Sequence, residues 1–361
     1  MKATLLQEHL RAALKSVRPA IPGKPILPWM GCVLIEAQPG NLRLTCTDGM
    51  VTIRQALLAH VEGTGSVAVS ARLLADFVEA LPAAPIKLEL KESKLQVKCG
   101  KTTCTLQNLA QDYADVREVT GSVLTLDGAV LSRAIASVIY AASTGSAYPV
   151  LQGCELASQA KALTIAATDG NRLATYSISV DVNGASKAFV VPARALAELK
   201  ALSGTVTVTV SGTQAAFSTT DKTVIATLLN GQFPVYSGIT SQKDFVCTAM
   251  VQVAELTRAV KQLAAFVEAD EYMPVLLDVA ATGISLKSSG NERGEGTVDV
   301  PVMAFTGKPT PLAFQARYLS EALDAAVGDT VTLKVVSPQA PVHLSDADDR
   351  HFQCIALVFR K

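Results

Sequence analysis

The chain repeats itself three times, and this constrains its fold more than any single motif does. Three segments open on Ala-Arg and continue at helical spacing. They are ARLLADFVEAL from Ala71, ARALAELKAL from Ala193 and ARYLSEALDAA from Ala316, with starts 122 and 123 residues apart. A second set keeps nearly the same period: Gly49 and Gly170, each in Thr-Asp-Gly, and Gly290 in Ser-Ser-Gly, separated by 121 and 120. One third of the 361 residues is the size of a small domain. Polar residues interrupt the pattern near Thr120–Ser122 and Ser241–Asp244, so the expected domains are 1–121, 122–243 and 244–361.

Each third reads alike. An amphipathic helix opens it, with Leu6, Leu10, Leu14 and Val17 on one face of the first, Leu131, Ile135 and Val138 in the second, and Leu256, Val260, Leu263 and Val267 in the third. Short strands follow, then the Ala-Arg helix. Its apolar residues are Leu73, Phe77 and Leu81, then Leu196, Leu199 and Leu202, then Leu319 and Leu323. Alternating strands such as IKLEL from Ile86 and VTVTV from Val206 close the unit. Each third is therefore two helix-plus-strands units, with helices burying one face on a sheet. This is an α+β architecture.

Nearly half of the chain is apolar, which suits a packed core and excludes disorder. The N-terminal MKATLLQEHLRAALK carries Glu8, His9, Arg11 and Lys15 where an export signal needs an apolar run, so it reads as a helix of the mature protein. The seven cysteines, at 32, 46, 99, 104, 154, 247 and 354, form no CxxC pair and no zinc-spaced cluster. That usage fits a reducing cytoplasm. With 32 basic and 32 acidic residues the formal charge is zero, which argues against gripping nucleic acid by bulk electrostatics.

No catalytic equipment is present. Gly100-Lys101-Thr102 resembles the tail of a phosphate loop, but the required earlier glycine falls at Leu95 and no helix follows. The histidines His9, His60, His343 and His351 are scattered and read as surface residues. In AATDGNRLATY, from Ala166 to Tyr176, Asp169-Gly170 lies between two strand-like runs and reads as a hairpin corner. Asp48 occupies the equivalent place in the first third, as a turn residue in a duplicated scaffold would.

Pro25-Ile-Leu-Pro28, LRLTCTD from Leu42, ATDGNRL from Ala167, Val191-Pro-Ala-Arg194 and Gly231-Gln-Phe-Pro234, with the length and the triple period, resemble the beta sliding clamp of bacterial DNA polymerase III over essentially the whole chain. The resemblance implies a DNA-clamp fold of three repeated domains with helices inside a ring and sheets outside. It implies a homodimer joined head to tail around duplex DNA, with no cofactor and no chemistry of its own. Replicative polymerase, clamp loader and other proteins carrying clamp-binding motifs are the implied partners. The implied DNA-facing residues are Arg11, Lys15, Lys24, Arg72, Arg133, Arg194, Lys200, Arg258 and Lys261. A peptide-binding pocket is implied at Leu151, Thr168, Gly170, Asn171, Arg172, Leu173, Pro234 and Ile239, with Tyr272, Gln315, Tyr318 and the C-terminal Ile355, Ala356, Leu357, Val358, Phe359 and Arg360. The implied subunit contact uses Cys104 and Leu106 on the first domain and Phe266 and Val267 on the third. Asn171, Gly238 and the tail Leu357–Arg360 depart from the family pattern and imply altered partner preference. The alternative reading is a clamp-derived paralogue or decoy that binds partners without serving as the main replicative clamp.

Overall fold

The computed structural model describes residues 1–109, 112–145, 147–159, 161–180, 187–264, 274–288, 294–346 and 352–356, with Ile355 and Ala356 described by their backbone only. Among the described residues there are seven α-helices. They are α1 (Gln7–Val17), α2 (Ala71–Glu79), α3 (Gly128–Val138), α4 (Ala193–Ala197), α5 (Ser237–Thr240), α6 (Val253–Ala264) and α7 (Ala316–Asp324). The strands form four antiparallel sheets, as the α+β reading expects. No described helix is long and apolar enough to cross a membrane.

The chain divides into two compact units, residues 1–128 with 201–228 and residues 129–200 with 229–361. This division cuts through the sequence thirds because strands of one third pair with strands of the next. In the first unit, an eight-stranded sheet runs Ser122–Asp127, Thr205–Val210, Gln214–Ser218, Lys222–Thr227, Val51–Leu58, Asn41–Thr47, Cys32–Gln38, Gly65–Ser70. Its midpoint is the pairing of Lys222–Thr227 with Val51–Leu58, where Val224 faces Ile53 and Ile225 faces Thr52. The second unit repeats the device. In its nine-stranded sheet, Phe352–Ala356 pairs with Arg172–Ser179, placing Ile355 opposite Leu173 and Phe352 opposite Tyr176. Two shorter sheets remain. A five-stranded sheet in the first unit ends at Thr102–Gln107, and a four-stranded sheet in the second ends at Thr297–Val300.

Helix faces follow the sequence periodicity with three exceptions, the first being Leu6, which ends the strand Lys2–Leu6 before α1 and is 43% exposed. Leu10, Leu14 and Val17 of α1, Leu131, Ile135 and Val138 of α3, Leu256, Val260 and Leu263 of α6, and Leu319 and Leu323 of α7 are all buried. In α2 the buried face is one residue further on. Ala71, Leu74 and Val78 are buried, whereas Leu73 is 58% exposed and Phe77 half-buried. Adjacent leucines leave the register ambiguous by 100°, and packing chooses Leu74. The second Ala-Arg helix is also shorter than expected. After Ala197 the chain tightens, with Leu199 N donating to Leu196 O and Lys200 N to Ala197 O, and Gly204 then turns it at φ +71°. Leu199 remains buried.

Two further expectations are corrected or sharpened. His343 is buried, not a surface residue. It lies edge-on to Phe245 at 5.3 Å and contacts Gln353 at 3.1 Å, because strand Val342–Asp346 has cover on both faces. Burial, with the nearby Lys334 charge, pushes its pKa down. His9 and His60 are exposed. Gly100 takes φ +56° in the hairpin between Lys94–Cys99 and Thr102–Gln107, so Gly-Lys-Thr is a turn. All seven cysteines are free thiols, six of them buried.

The α2 register is testable by chemical denaturation. Leu74→Ala is expected to destabilise by about 2–5 kcal/mol, and Leu73→Ala by less than about 0.5 kcal/mol. Equal effects would contradict the buried face described above.

Candidate functional site

The hairpin corner at Asp169 is built by its own residues. The Asp169 carboxylate Oδ1 accepts the backbone N–H groups of Asn171 (2.9 Å) and Arg172 (3.0 Å), while Thr168 Oγ1 accepts Gly170 N–H (3.1 Å). Gly170 sits at φ +93°, a conformation that favours glycine. The first third has the same turn atom for atom. Asp48 Oδ1 accepts from Met50 and Val51 (2.9 and 2.8 Å), Thr47 Oγ1 accepts from Gly49 (3.1 Å), and Gly49 has φ +87°. The turn is thus a scaffold element.

What distinguishes the second copy is Arg172, standing where the first has Val51. Its side chain is 4% exposed, and every nitrogen of the guanidinium has a partner. Nε donates to Asp169 Oδ2 (3.0 Å), Nη1 to the Glu321 carboxylate on α7, and Nη2 to the Tyr140 carbonyl (2.7 Å). Its two flanking rings are Tyr318 of α7, with Cζ 4.7 Å from the ring centroid, and Tyr140 at 5.3 Å. Burial pushes the Glu321 carboxyl upward, but hydrogen bonds from Arg317 and Arg172 outweigh it and hold the pKa below the ordinary value. Burial drives the Tyr140 phenol well above its usual range, with the Cys354 thiol beside it.

Next to this cluster lies an apolar floor. Leu173 packs with Val150, Leu151, Ala166, Val190 and Phe233, and Leu229 and Tyr236 cover them. Phe233 and Tyr236 meet edge to face at 6.1 Å, and the Tyr236 hydroxyl donates to Glu155 (3.0 Å). That bond anchors the segment after Leu229 to strand Gly153–Gln159. Partial burial raises the Glu155 pKa. Along the same segments Tyr148, Val235 and Ile239 are exposed apolar side chains. An apolar floor with an exposed apolar rim is the composition of a concave peptide site.

The expected pocket residues divide accordingly. Leu151, Thr168, Arg172 and Leu173 are buried in the floor or turn, Tyr318 is half-buried on α7 with its ring against Arg172, and Gln315 is half-buried at the end of strand Thr310–Gln315. Gly170, Asn171, Pro234 and Ile239 are exposed. Ile355 and Ala356 continue the sheet beside Leu173 and Arg172. Tyr272, Leu357, Val358, Phe359 and Arg360 lie outside the described residues, as do Phe266 and Val267. Cys104 is half-buried, and Leu106 points into its own sheet's core. Sequence reasoning missed Tyr148, Val150, Phe233, Val235 and Tyr236. For Phe233, Val235 and Tyr236 the signal was the run FPVY in an otherwise polar, glycine-flanked linker.

All nine basic residues expected to face DNA are exposed. Several are already paired: Arg11 with Glu79 (3.3 Å), Arg72 with Asp76 (3.7 Å), Lys261 with Asp324 (3.6 Å), and Arg258 with Glu255.

Three thirds built on one plan and linked through shared antiparallel sheets define a DNA-clamp fold. A sliding clamp of Bacillus subtilis superposes with TM-score 0.94 at 21% identity, covering 100% of this chain and 99% of that one. A Pseudomonas aeruginosa clamp bound to griselimycin gives 0.93 at 24%, with full coverage of both. Among curated proteins, the beta sliding clamp of Streptomyces coelicolor is 27% identical over 359 residues, 96% of this chain and 94% of that protein. The Escherichia coli K12 beta sliding clamp is 24% identical over the full length of both. Models of the N-terminal, central and C-terminal domains of the DNA polymerase III beta subunit match residues 1–116, 125–235 and 243–360. The chain belongs to the DNA polymerase III beta subunit family, whose members are non-catalytic sliding clamps.

The duplicated turns give a direct comparison. Both aspartates cap two backbone N–H groups, but only Asp169 also faces a buried guanidinium. Asp169→Ala is expected to cost about 1–3 kcal/mol more than Asp48→Ala, measured by urea denaturation. Glu321 adds a pH signature. Its folded pKa lies below its unfolded one, so its contribution is present above about pH 4.5 and lost as pH falls through the folded value. Glu321→Gln is expected to flatten that part of the acid limb.

Proposed function

We propose that copies of this chain join head to tail into a dimeric ring that encircles duplex DNA in the cytoplasm. The ring holds replicative polymerase, clamp loader and other motif-bearing partners at the apolar site beside Leu173. The domains are 1–121, 122–243 and 244–361, and the polymerase performs all the chemistry.

One observation carries the reading. In each third the last strand of the second meander is Thr102–Gln107, Lys222–Thr227 or Phe352–Ala356, and the last strand of the first is Val51–Leu58, Arg172–Ser179 or Thr297–Val300. The second member of the first set pairs with the first of the other, and the third with the second. The pair left over is Thr102–Gln107 and Thr297–Val300, each the edge of a short sheet among the described residues. An open edge is a pairing template, and the repeat specifies its complement. Charge supports the match. Lys94, Lys98 and Lys101 are exposed near the first edge, and Glu295 and Asp299 near the second. Cys104 lies on that first edge strand, and Phe266 and Val267 are the apolar candidates of the third domain.

The helices supply Arg11, Lys15, Arg72, Arg133, Arg194, Arg258 and Lys261, with Lys24 and Lys200 in adjacent segments, as a lining of mild charge. Enclosure then holds the protein on DNA, and weak phosphate contacts let it move. At the peptide site, apolar walls bury partner side chains and backbone groups orient the segment. Griselimycin, the ligand of the Pseudomonas aeruginosa clamp, serves as a probe. Exposed Asn171 and Gly238, with the tail Leu357–Arg360, shift partner preference away from that of typical members.

Loading onto nicked circular DNA tests the ring: retention on circles and loss after linearisation are expected, and retention after linearisation would overturn it. Light scattering at micromolar concentration is expected to show a dimer, and Lys98→Glu with Lys101→Glu to weaken it at least tenfold. A wild-type monomer at that concentration would count against closure. A generic clamp-binding peptide is expected to bind measurably more weakly here than to a typical clamp; equal affinity would sink the altered preference.

A further inference from the structure

Every nitrogen of the buried Arg172 guanidinium is held by the protein itself. Asp169, Glu321 and the Tyr140 carbonyl take its donors, while Tyr140 and Tyr318 flank it. The three acceptors come from separate parts of the same compact unit. Asp169 lies in the hairpin turn, Tyr140 in the one-turn segment Ile139–Ala141 after α3, and Glu321 on α7. Leu173, the next residue, belongs to the apolar floor. Backbone pairing of Arg172 with Ala356 puts the last described residue of the C-terminal strand at the same point.

We infer that Glu321 is a positioning residue of the peptide site, acting through Arg172 to fix the turn at 169–172 and Leu173 against α7. The inference rests on the peptide-site reading above. The physical argument is one of missing alternatives. A guanidinium that loses one acceptor at an exposed site replaces it with water. Arg172 is 4% exposed, and a water entering the space left by the 29% exposed Glu321 side chain would return an acceptor but neither the charge nor the tie to α7, so the turn and α7 are no longer held together. A movement of the turn carries Leu173 with it, and a movement of α7 carries Tyr318. Both change the shape of the site before any peptide arrives, and a site whose competent shape is only partly populated binds more weakly in proportion. The other oxygen of Glu321 accepts from Arg317 (2.9 Å), an exposed side chain. Arg317 bonds the outer oxygen of Glu321 only, so its removal leaves the Arg172–Glu321 contact in place and serves as a control.

The experiment is calorimetric titration of griselimycin, and of a clamp-binding peptide, into the full-length protein and its Glu321→Ala, Glu321→Gln and Arg317→Ala variants, with thermal unfolding of each. Glu321→Ala is expected to weaken binding about tenfold. Glu321→Gln keeps an acceptor for Nη1 without the charge, so it is expected to recover part of the loss, and Arg317→Ala to change affinity less than twofold. A Glu321→Ala protein with lowered melting temperature but wild-type affinity when folded would overturn the inference and leave Glu321 a stability residue. So would an equal loss in Arg317→Ala. Should Glu321→Ala fail to fold, wild-type affinity in Glu321→Gln overturns it and a partial loss supports it. Absence of binding by the wild-type protein is a different result, which overturns the peptide-site reading itself.

Discussion

The rest of this structure depends on hydrogen bonding across one recurrent strand junction. A sheet edge presents unpaired N–H and C=O groups that must find partners or water. Here the repeat unit is cut so that its two sheets each end on an open edge, and the edges of successive thirds complete one another. Lys222–Thr227 lies on Val51–Leu58, and Phe352–Ala356 on Arg172–Ser179. The junctions are apolar as well as hydrogen-bonded, with Val224 opposite Ile53 and Phe352 opposite Tyr176. Each third is thereby held to the next by the same interaction that holds its own sheet together.

The second junction is also where the repeat has specialised. Both copies of the Thr-Asp-Gly turn satisfy their own backbone groups, so the turn itself places no demand on the side chain two positions after its glycine. In the first copy that residue is Val51, buried in the sheet. In the second it is Arg172, whose charge has to be neutralised where it stands. Asp169 serves both needs, with Oδ1 capping the turn and Oδ2 accepting from Arg172 Nε. Glu321 and the two tyrosines complete the arrangement. The second turn is thus tied to Tyr140 and to α7 beside an apolar floor, with Tyr148, Val235 and Ile239 exposed along the same segments.

Much of this was legible in the sequence because it depends on local pattern. Repeat spacing, the buried stripes of α1, α3, α6 and α7, and the two Asp-Gly corners all follow from residues close in the chain. The failures have a common cause. Leu73 and Leu74 satisfy the helical period equally, and only tertiary packing separates them. A histidine in a short strand gives no local sign that both faces of its sheet are covered, so His343 was misread. An arginine is exposed by default; nothing near Arg172 in sequence announces Glu321, 149 positions away. Sharing of sheets between thirds was invisible for a different reason: an alternating strand looks the same whether its neighbour comes from its own third or the next.

A zero net charge is consistent with a protein that works on DNA once holding and gripping are separated. A protein that grips needs several unpaired cations aimed at phosphates, and each released counterion steepens its salt dependence. On these helices Arg11, Arg72, Arg258 and Lys261 face carboxylates on their own or a neighbouring helix. Such exposed pairs contribute little to stability, but they lower the field along the surface they occupy. A surface tempered in this way would bind duplex DNA too weakly to persist there unaided. In the proposed ring, persistence comes from geometry, supplied by pairing of Thr102–Gln107 with Thr297–Val300, each the edge of a short sheet among the described residues.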